Sequence, residues 1–273
     1  MASVSAEAIF YVPKYVRFRY QRRIRGTLFA LSFRLVSRKI QTKLNYVQHP
    51  PTLGDSMKLI IGNKNYSSWS LRSWLLLTHF ELDFEEINVS LRSEELNARL
   101  GEYSPSQRVP VLVDGATRVW DTLAIAEYIN EKLDGAAWPS KTQERAYARS
   151  ISAEMHAGFT ALRNAMPMNI RAKRGVELSQ AVQRDLQRIE MIFGDTRLSY
   201  STQGPWLAGA FSIADCMYAP VASRLKTYGI SLNQQAEEYV EMIHELPAMK
   251  QWISAALAES EVIPEDEAGV DIV

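Results

Sequence analysis

The chain has 273 residues, 47% of them hydrophobic and 23% charged, with a formal net charge of zero and a single cysteine, Cys216. This composition is typical of an ordinary globular protein and excludes global disorder. One cysteine excludes an internal disulfide framework and any four-cysteine zinc site. The apolar stretches are too short and too interrupted for a membrane span of about 20 residues, and the length predicts about two domains.

The neutral total averages two unlike parts. Residues 1–56 carry ten basic and two acidic residues, a net +8, while the other 217 residues carry 21 basic and 29 acidic, a net −8. The basic leader is typical of an organellar targeting segment, or of a tail that binds nucleic acid or anionic membranes. We favour a third interpretation, in which it lies outside the functional fold and the working protein begins at Met57. That residue directly precedes an apolar run, and Pro50, Pro51 and Gly54 break the chain before it.

Residues 57–134 alternate strand and helix patterns. The first strand, helix and second strand form a β-α-β unit, which favours parallel pairing through a right-handed crossover. Asp114-Gly115 is a hairpin signal between the last two strands. The predicted elements are strand Lys58–Gly62, helix Leu71–Phe80, strand Phe84–Val89, helix Ser93–Leu100, strands Val109–Val113 and Thr117–Trp120, and a helix from Asp121 or Thr122 to Leu133.

Only helical periodicity follows the break at residues 135–139. Residues 141–273 are therefore predicted to form an all-α domain of about five helices, with no strand. The predicted helices are Thr142–Met166, Leu178–Leu198, Ile213–Tyr228, Gln234–Leu246 and Pro247–Leu257.

Two helix starts in the α/β part carry hydroxyl groups. Residues 66–70 read Tyr-Ser-Ser-Trp-Ser, and Asp121-Thr122 directly follows a strand. A helix N-terminus has free N–H groups and a partial positive charge, so either start could bind an anion. The alternative is that these side chains only cap their helices. Each motif alone favours capping.

Val109-Pro110 stands at the start of a strand, where a proline removes a hydrogen-bond donor. The peptide bond is either cis, exposing the Val109 backbone to a ligand, or trans at an edge strand. The residues alone favour trans, because few X–Pro bonds are cis.

Three further features receive structural interpretations. Ser212 to Asp215 matches a capping box that begins a buried helix, and the adjoining Cys216 is interpreted as a small core residue. His156 is interpreted as a structural histidine in preference to a cleft residue. The four scattered histidines lack metal-ligand spacing, so no metal site is predicted.

The order of these motifs resembles the glutathione S-transferase family from Met57 to the C-terminus. Residues 67–72, Ser-Ser-Trp-Ser-Leu-Arg, are similar to the serine motif of zeta-like bacterial members, and residues 107–110 are similar to the stretch that holds the family's cis-proline. The resemblance implies a thioredoxin-like α/β N-terminal domain followed by an all-α C-terminal domain. It also favours a cis Val109-Pro110 bond.

The resemblance implies a role for each matching residue. Ser67 or Ser68 would donate a hydrogen bond to the glutathione sulfur, and the Val109 backbone would pair with the cysteinyl part of glutathione. Asp-Thr departs from the commoner Glu-Ser or Gln-Ser at the γ-glutamyl end, and Trp69 replaces a cysteine of many zeta members, which argues against maleylacetoacetate isomerase activity. The expected glutathione-binding residues are Arg108, Val109, Pro110, Asp121 and Thr122, and the expected electrophile cleft contains Met155, His156, Phe159 and Arg163, with Met166.

The implied chemistry is activation of a thiol. A free thiol has a pKa near 8.5, and a hydroxyl at a helix N-terminus lowers it by stabilising the thiolate. Glutathione as co-substrate supplies the sulfur for conjugation to, or isomerisation of, a small electrophile. The alternatives are a non-catalytic glutathione-fold binding module and a glutathione-dependent peroxidase. The resemblance also implies a cytoplasmic detoxifying homodimer without nucleic-acid or membrane partners, with organellar targeting by residues 1–56 left open.

Overall fold

A computed structural model describes residues 56–90, 100–200 and 204–272. The basic leader, apart from Ser56, and the predicted helix Ser93–Leu100, apart from its last residue, lie outside these ranges. The described residues belong to one compact unit of the chain, Thr52–Val273. Across the described ranges, no helix is long and apolar enough to cross a membrane.

Four strands form the main sheet, and they are β1 (Met57–Gly62), β2 (Phe84–Val89), β3 (Val111–Asp114) and β4 (Thr117–Trp120). Their order in the sheet is β2-β1-β3-β4. β1 pairs parallel with β2, whereas β3 pairs antiparallel with both β1 and β4. The predicted parallel unit and the predicted hairpin are therefore confirmed. The described helices of this part are α1 (Ser68–His79), between β1 and β2, and α2 (Thr122–Lys132), after β4.

Helices form most of the described residues after residue 141, and the predicted change from α/β to helical structure is confirmed. The exact domain limits, 57–134 and 141–273, stay predictions. The helices are α3 (Thr142–Ala157), α4 (Thr160–Ala165), α5 (Gln180–Met191), α6 (Ile213–Thr227), α7 (Gln234–Glu245) and α8 (Pro247–Ala258), with a π-helical turn at Ile192–Thr196.

One predicted helix is wrong in extent, and another contains an unexpected change of helix type. The helix expected over Thr142–Met166 ends at Ala157, because Gly158 is extended and Phe159 is left-handed, with φ +54°. The helix expected over Leu178–Leu198 is confirmed over residues 180–198, but Ile192–Thr196 within it form a π-helical turn. The apolar periodicity continues through both changes, which is why the sequence did not indicate them.

The prediction of no strand after residue 141 is also wrong. Two-residue strands β5 (Arg174–Gly175) and β6 (Val270–Asp271) pair antiparallel. Strands this short carry no measurable alternation in the sequence.

The central strand β1 is covered on both faces, as its unbroken apolar run requires. Leu59 and Ile61 belong to the large core that includes α1 and α6, while Ile60 packs with Val89 and Val111 on the other face. α1 therefore lies between the sheet and the central helix α6. This position fixes the N-terminus of α1 relative to both parts of the chain.

The capping box at α6 is confirmed. The Ser212 Oγ accepts from Ala214 N at 3.3 Å, and the Asp215 carboxylate accepts from Ser212 N at 2.8 Å and from Leu207 N at 3.1 Å. Tyr239 Oη also donates to Asp215, at 3.1 Å. Burial raises the pKa of Asp215 to about 6 and raises that of the buried Cys216 thiol well above its ordinary value. Cys216 is thus a core residue, as interpreted from the sequence.

Replacing Asp215 is expected to destabilise the whole fold. Asp215→Ala leaves the buried N–H groups of Leu207 and Ser212 without acceptors, which costs about 3 kcal/mol of unfolding free energy in denaturant titration. Glu237→Ala, at an exposed carboxylate in the first turn of α7, is the matched control and should cost less than about 0.5 kcal/mol. Equal losses in the two variants would contradict the structural role of Asp215.

Candidate functional site

A cavity of about 570 Å³ lies beside the loop between β1 and α1. The α/β part of the chain contributes residues 66–69 and 107–109, together with Leu100. The helical part contributes Thr160, Arg163, Asn164, Pro167, Met168, Arg224 and Asp266. The cavity is therefore shared between the two parts, and it lies at the helix start that carries the serines.

The N-terminus of α1 has no side-chain cap. Ser67 occupies the N-cap position but makes no capping hydrogen bond. α1 begins three residues earlier than predicted, so Ser68, Trp69 and Ser70 form its first turn. The capping interpretation of the serines is therefore wrong for this helix. Ser68 N donates to the Tyr66 carbonyl at 2.8 Å, and the partial positive charge of the helix N-terminus is not neutralised by a side-chain cap.

Both serines lie in the cavity wall, and hydrogen bonds fix the first of them. Ser67 and Ser68 are 7% and 8% exposed, and both line the cavity. Ser67 Oγ donates to Ser70 Oγ at 2.7 Å, and Ser70 Oγ accepts from Gly62 N at 3.1 Å. Ser67 thus belongs to a chain of hydrogen bonds that begins in β1.

Tyr66 also lines the cavity, but its hydroxyl is already used. It donates to a carboxylate oxygen of Glu267 and accepts from Arg171 Nη2 at 3.1 Å. Burial and the bond to Glu267 raise the pKa of Tyr66 above its usual value. This phenol is therefore a weaker candidate than the serines for a donor to a ligand in the cavity.

The loop between β1 and α1, residues 63–67, is called the serine loop. Hydrogen bonds from residues near the C-terminal end of the chain hold it in place. The Glu259 carboxylate accepts from Lys64 N at 2.7 Å and from Asn65 N at 2.9 Å. Trp252 Nε1 donates to the Lys64 carbonyl at 2.9 Å, and Arg171 Nη1 donates to the Glu259 carbonyl. No local sequence pattern marks these residues, because most of these contacts join positions nearly 200 residues apart.

The Val109-Pro110 peptide bond is cis. The preference for trans drawn from the residues alone is wrong, and the expectation drawn from the family resemblance is confirmed. Val109, with Arg108 and Gln107, lines the cavity directly before β3, whereas Pro110 is buried and does not line it.

Asp121 caps α2, Thr122 is the first residue of that helix, and neither lines the cavity. Asp121 has φ +74°, and its Oδ1 accepts from Leu123 N at 2.9 Å and from Ala124 N at 3.3 Å. Thr122 Oγ1 donates to the Trp69 carbonyl at 3.3 Å, so α2 and α1 begin side by side. Asp121 Oδ2 takes no part in capping and lies 3.4 Å from His156 Nε2.

The four expected cleft residues separate into two groups. Arg163 lines the cavity. His156 does not line it but makes an edge contact with Trp69 of the cavity wall, at a ring-centroid distance of 5.3 Å. Met155 and Phe159 are buried in the core, as is Met166. The helical spacing placed all of them on one stretch of chain, but the break at Gly158 turns their side chains apart.

Two buried arginines next to the site were missed as functional candidates. Arg72 Nε donates to the Met217 carbonyl at 3.0 Å, and Arg224 Nε donates to the Met166 carbonyl at 2.7 Å. Burial, reinforced by the other arginines nearby, lowers the pKa of Arg72 well below its ordinary value and that of Arg224 to about 10. The sequence shows Arg72 only as the end of the serine motif and gives no signal at all for Arg224.

Comparison with known families agrees with this geometry. Residues 66–132 match the glutathione S-transferase N-terminal domain, and residues 147–255 match the glutathione S-transferase C-terminal domain. The chain belongs to the glutathione S-transferase family, and its fold is the expected thioredoxin-like domain followed by a helical domain.

Among curated proteins, a dichloromethane dehalogenase from Methylorubrum extorquens is 45% identical over 73 residues, which are 24% of this chain and only 25% of that protein. A probable maleylacetoacetate isomerase from Caenorhabditis elegans is 27% identical over 172 residues, 61% of this chain and 77% of that protein.

Solved structures share the fold at lower identity. A glutathione transferase homologue from Burkholderia, solved with bound glutathione, is 24% identical with a TM-score of 0.56, covering 74% of this chain and 98% of that one. Yeast Ure2p in complex with glutathione is 15% identical with a TM-score of 0.57, covering 81% and 99%.

Removing the Glu259 side chain is expected to loosen the serine loop. In Glu259→Ala the amides of Lys64 and Asn65 lose a charged acceptor, so their hydrogen exchange should accelerate at least about tenfold. Glu265→Ala, at an exposed glutamate of the same C-terminal segment, should leave both exchange rates unchanged. Unchanged exchange in Glu259→Ala would show that other contacts order the loop.

Proposed function

We propose that this protein is a glutathione transferase, which activates the thiol of glutathione in the 570 Å³ cavity and transfers it to a small electrophile. The observation that carries the proposal is the pair of serine hydroxyls at an uncapped helix N-terminus in the cavity wall. Hydroxyl and backbone donors aimed at one point stabilise a developing anion, here a thiolate.

Ser67 is the donor that the hydrogen-bond pattern favours. Its Oγ is held by Ser70, which in turn accepts from the β1 backbone, so its position is fixed before a ligand arrives. A bond between two hydroxyls works in either direction, because each can donate or accept. When Ser70 donates to Ser67, the Ser67 proton is free for the glutathione sulfur, and Ser68 is a second donor at the cavity wall.

The thiolate then attacks an electrophilic carbon. In a substitution, a carbon–sulfur bond forms from the thiolate electron pair, and the leaving group departs with the electrons of its former bond. Lowering the thiol pKa increases the thiolate fraction at neutral pH. The enzyme needs no thiol of its own, and its buried Cys216 takes no part.

The remaining glutathione contacts follow from the resemblance, and of these residues Arg108 and Val109 line the cavity. The Val109 backbone, with Arg108 and Pro110 beside it, would pair with the cysteinyl part. Both capping hydrogen bonds of Asp121 go to Oδ1, so Oδ2, which lies 3.4 Å from His156 Nε2 and outside the cavity lining, would bind the γ-glutamyl ammonium group. Thr122 would orient Asp121 through its contact with the α1 backbone.

The names and ligands of the relatives support a glutathione-dependent enzyme. Two of them carry names of enzymes, a dehalogenase and an isomerase, and a structural neighbour was solved with bound glutathione. The cytoplasmic location, the homodimer and the detoxifying role implied by the family belong to the same proposal.

A second candidate is a module that binds glutathione without catalysis. The observation in its favour is that the Ser67 hydroxyl here donates to Ser70 and not towards the cavity. Retention on immobilised glutathione together with turnover of an aryl halide supports the enzyme. Retention without turnover of aryl halides, maleylacetoacetate or organic peroxides supports the module, and an absence of both contradicts each candidate.

Serine variants test the proposed thiol activation. Ser67→Ala is expected to lower kcat about a hundredfold, because it removes a donor to the developing charge, and to change glutathione affinity less than about threefold. Ser70→Ala should lower kcat by a smaller factor, since it removes only the group that orients Ser67. Steady-state kinetics with an aryl halide provide both values.

Ser73→Ala is the matched control for these variants. Ser73 lies in the same helix, outside the cavity, and its buried hydroxyl has no hydrogen-bond partner among the described residues. Its replacement should leave kcat unchanged. A larger loss in Ser68→Ala than in Ser67→Ala would move the donor role to Ser68, and full activity in both would reject thiol activation by serine.

A further inference from the structure

Two arginines lie over the Trp69 ring, and a third lines the same cavity. Arg72 lies over the Trp69 ring with its guanidinium carbon 4.3 Å from the ring centroid, and Arg163 does so at 4.7 Å. Arg163 and Arg224 line the cavity directly, whereas Arg72 is buried behind its wall. Positive charge from α1, α4 and α6 is thereby brought to one place.

These guanidinium groups lack carboxylate partners. Within the described ranges, none of the three forms an ion pair with an Asp or Glu closer than 4.0 Å. Arg224 is 4% exposed, and its buried Nη1 has no hydrogen-bond partner in this part of the chain, as is also true of Arg72 Nη1. A buried charge without a partner is costly unless a ligand supplies the missing acceptors.

The described lining of the cavity carries an excess of positive charge. Arg108, Arg163 and Arg224 face a single acidic residue, Asp266. Arg108 adjoins Val109 on the side proposed for glutathione, whereas Arg163 and Arg224 belong to α4 and α6 in the helical part. The arginines of the helical part are therefore available to the second substrate.

We infer that the electrophile is an organic anion, whose carboxylate or sulfonate group binds Arg163 and Arg224 while its reactive carbon faces the serine loop. The inference rests on the proposed transferase function and specifies its substrate class. Guanidinium groups bind carboxylates through paired, charge-assisted hydrogen bonds, and Trp69 supplies an apolar surface beside them. For a chloro-substituted acid, the thiolate forms the carbon–sulfur bond and chloride leaves with the carbon–chlorine electron pair.

A matched pair of electrophiles tests this inference. A chlorodinitrobenzoate and the corresponding chlorodinitrobenzamide share an aryl chloride and a leaving group, but only the first carries a carboxylate. Arg163→Gln and Arg224→Gln should each lower kcat/KM for the benzoate about ten- to a hundredfold, the usual value of a hydrogen bond to a charged group. The same variants should change kcat/KM for the benzamide less than about threefold and leave the glutathione KM unchanged.

Two further measurements keep the test decisive. Arg149→Gln, at an exposed arginine on α3 outside the cavity, should leave both electrophiles unaffected. If Arg224→Gln does not fold, Arg163→Gln and competitive inhibition of the native enzyme serve instead, with benzoate expected to inhibit and benzamide not.

Each contrary outcome has a distinct meaning. Equal losses for the two electrophiles, or a raised glutathione KM, would place glutathione itself on these arginines and overturn the inference. Native turnover of the benzamide without any preference for the benzoate would overturn the inference alone. Turnover of neither electrophile, nor of the other transferase substrates, would overturn the proposed function as well.

Discussion

The Glu259 carboxylate accepts hydrogen bonds from two successive backbone N–H groups of the β1–α1 loop, and the position of the serines depends on this contact. Buried backbone donors need partners, and residues close in sequence do not supply them here. Glu259, which follows the last α-helix of the described chain, supplies these acceptors. The loop is thereby ordered before any ligand enters the cavity, which is the condition under which a hydroxyl stabilises a thiolate most effectively.

The polar groups of the serine loop and the buried arginines near the cavity differ in whether their hydrogen bonds are satisfied. Lys64, Asn65 and Ser67 all have hydrogen-bond partners, so their contribution is structural order. Arg72 and Arg224 each keep a buried nitrogen without a partner in the described residues. The hydrogen-bonded loop residues prepare the site for glutathione. The arginines give a physical reason for a negative charge on the electrophile.

Local patterns in the sequence predicted the parts of the fold that local interactions determine. The strands, the hairpin at Asp114-Gly115 and the capping box at Asp215 follow from apolar periodicity and turn chemistry within a few residues. The break at Gly158-Phe159 was missed because the periodicity continues across it. Glu259 and Arg224 were missed because their importance arises only from contacts across long sequence separations. The cis bond before Pro110 was expected only through family resemblance, which carries information that the dipeptide alone does not.

The central claim is that the serine loop lowers the pKa of the glutathione thiol. Thiolate formation can be followed by ultraviolet absorbance while the native protein with bound glutathione is titrated with base. We expect the bound thiol to titrate at least about one pH unit below the value near 8.5 of a free cysteine thiol. A bound thiol that titrates at its free value would contradict the account.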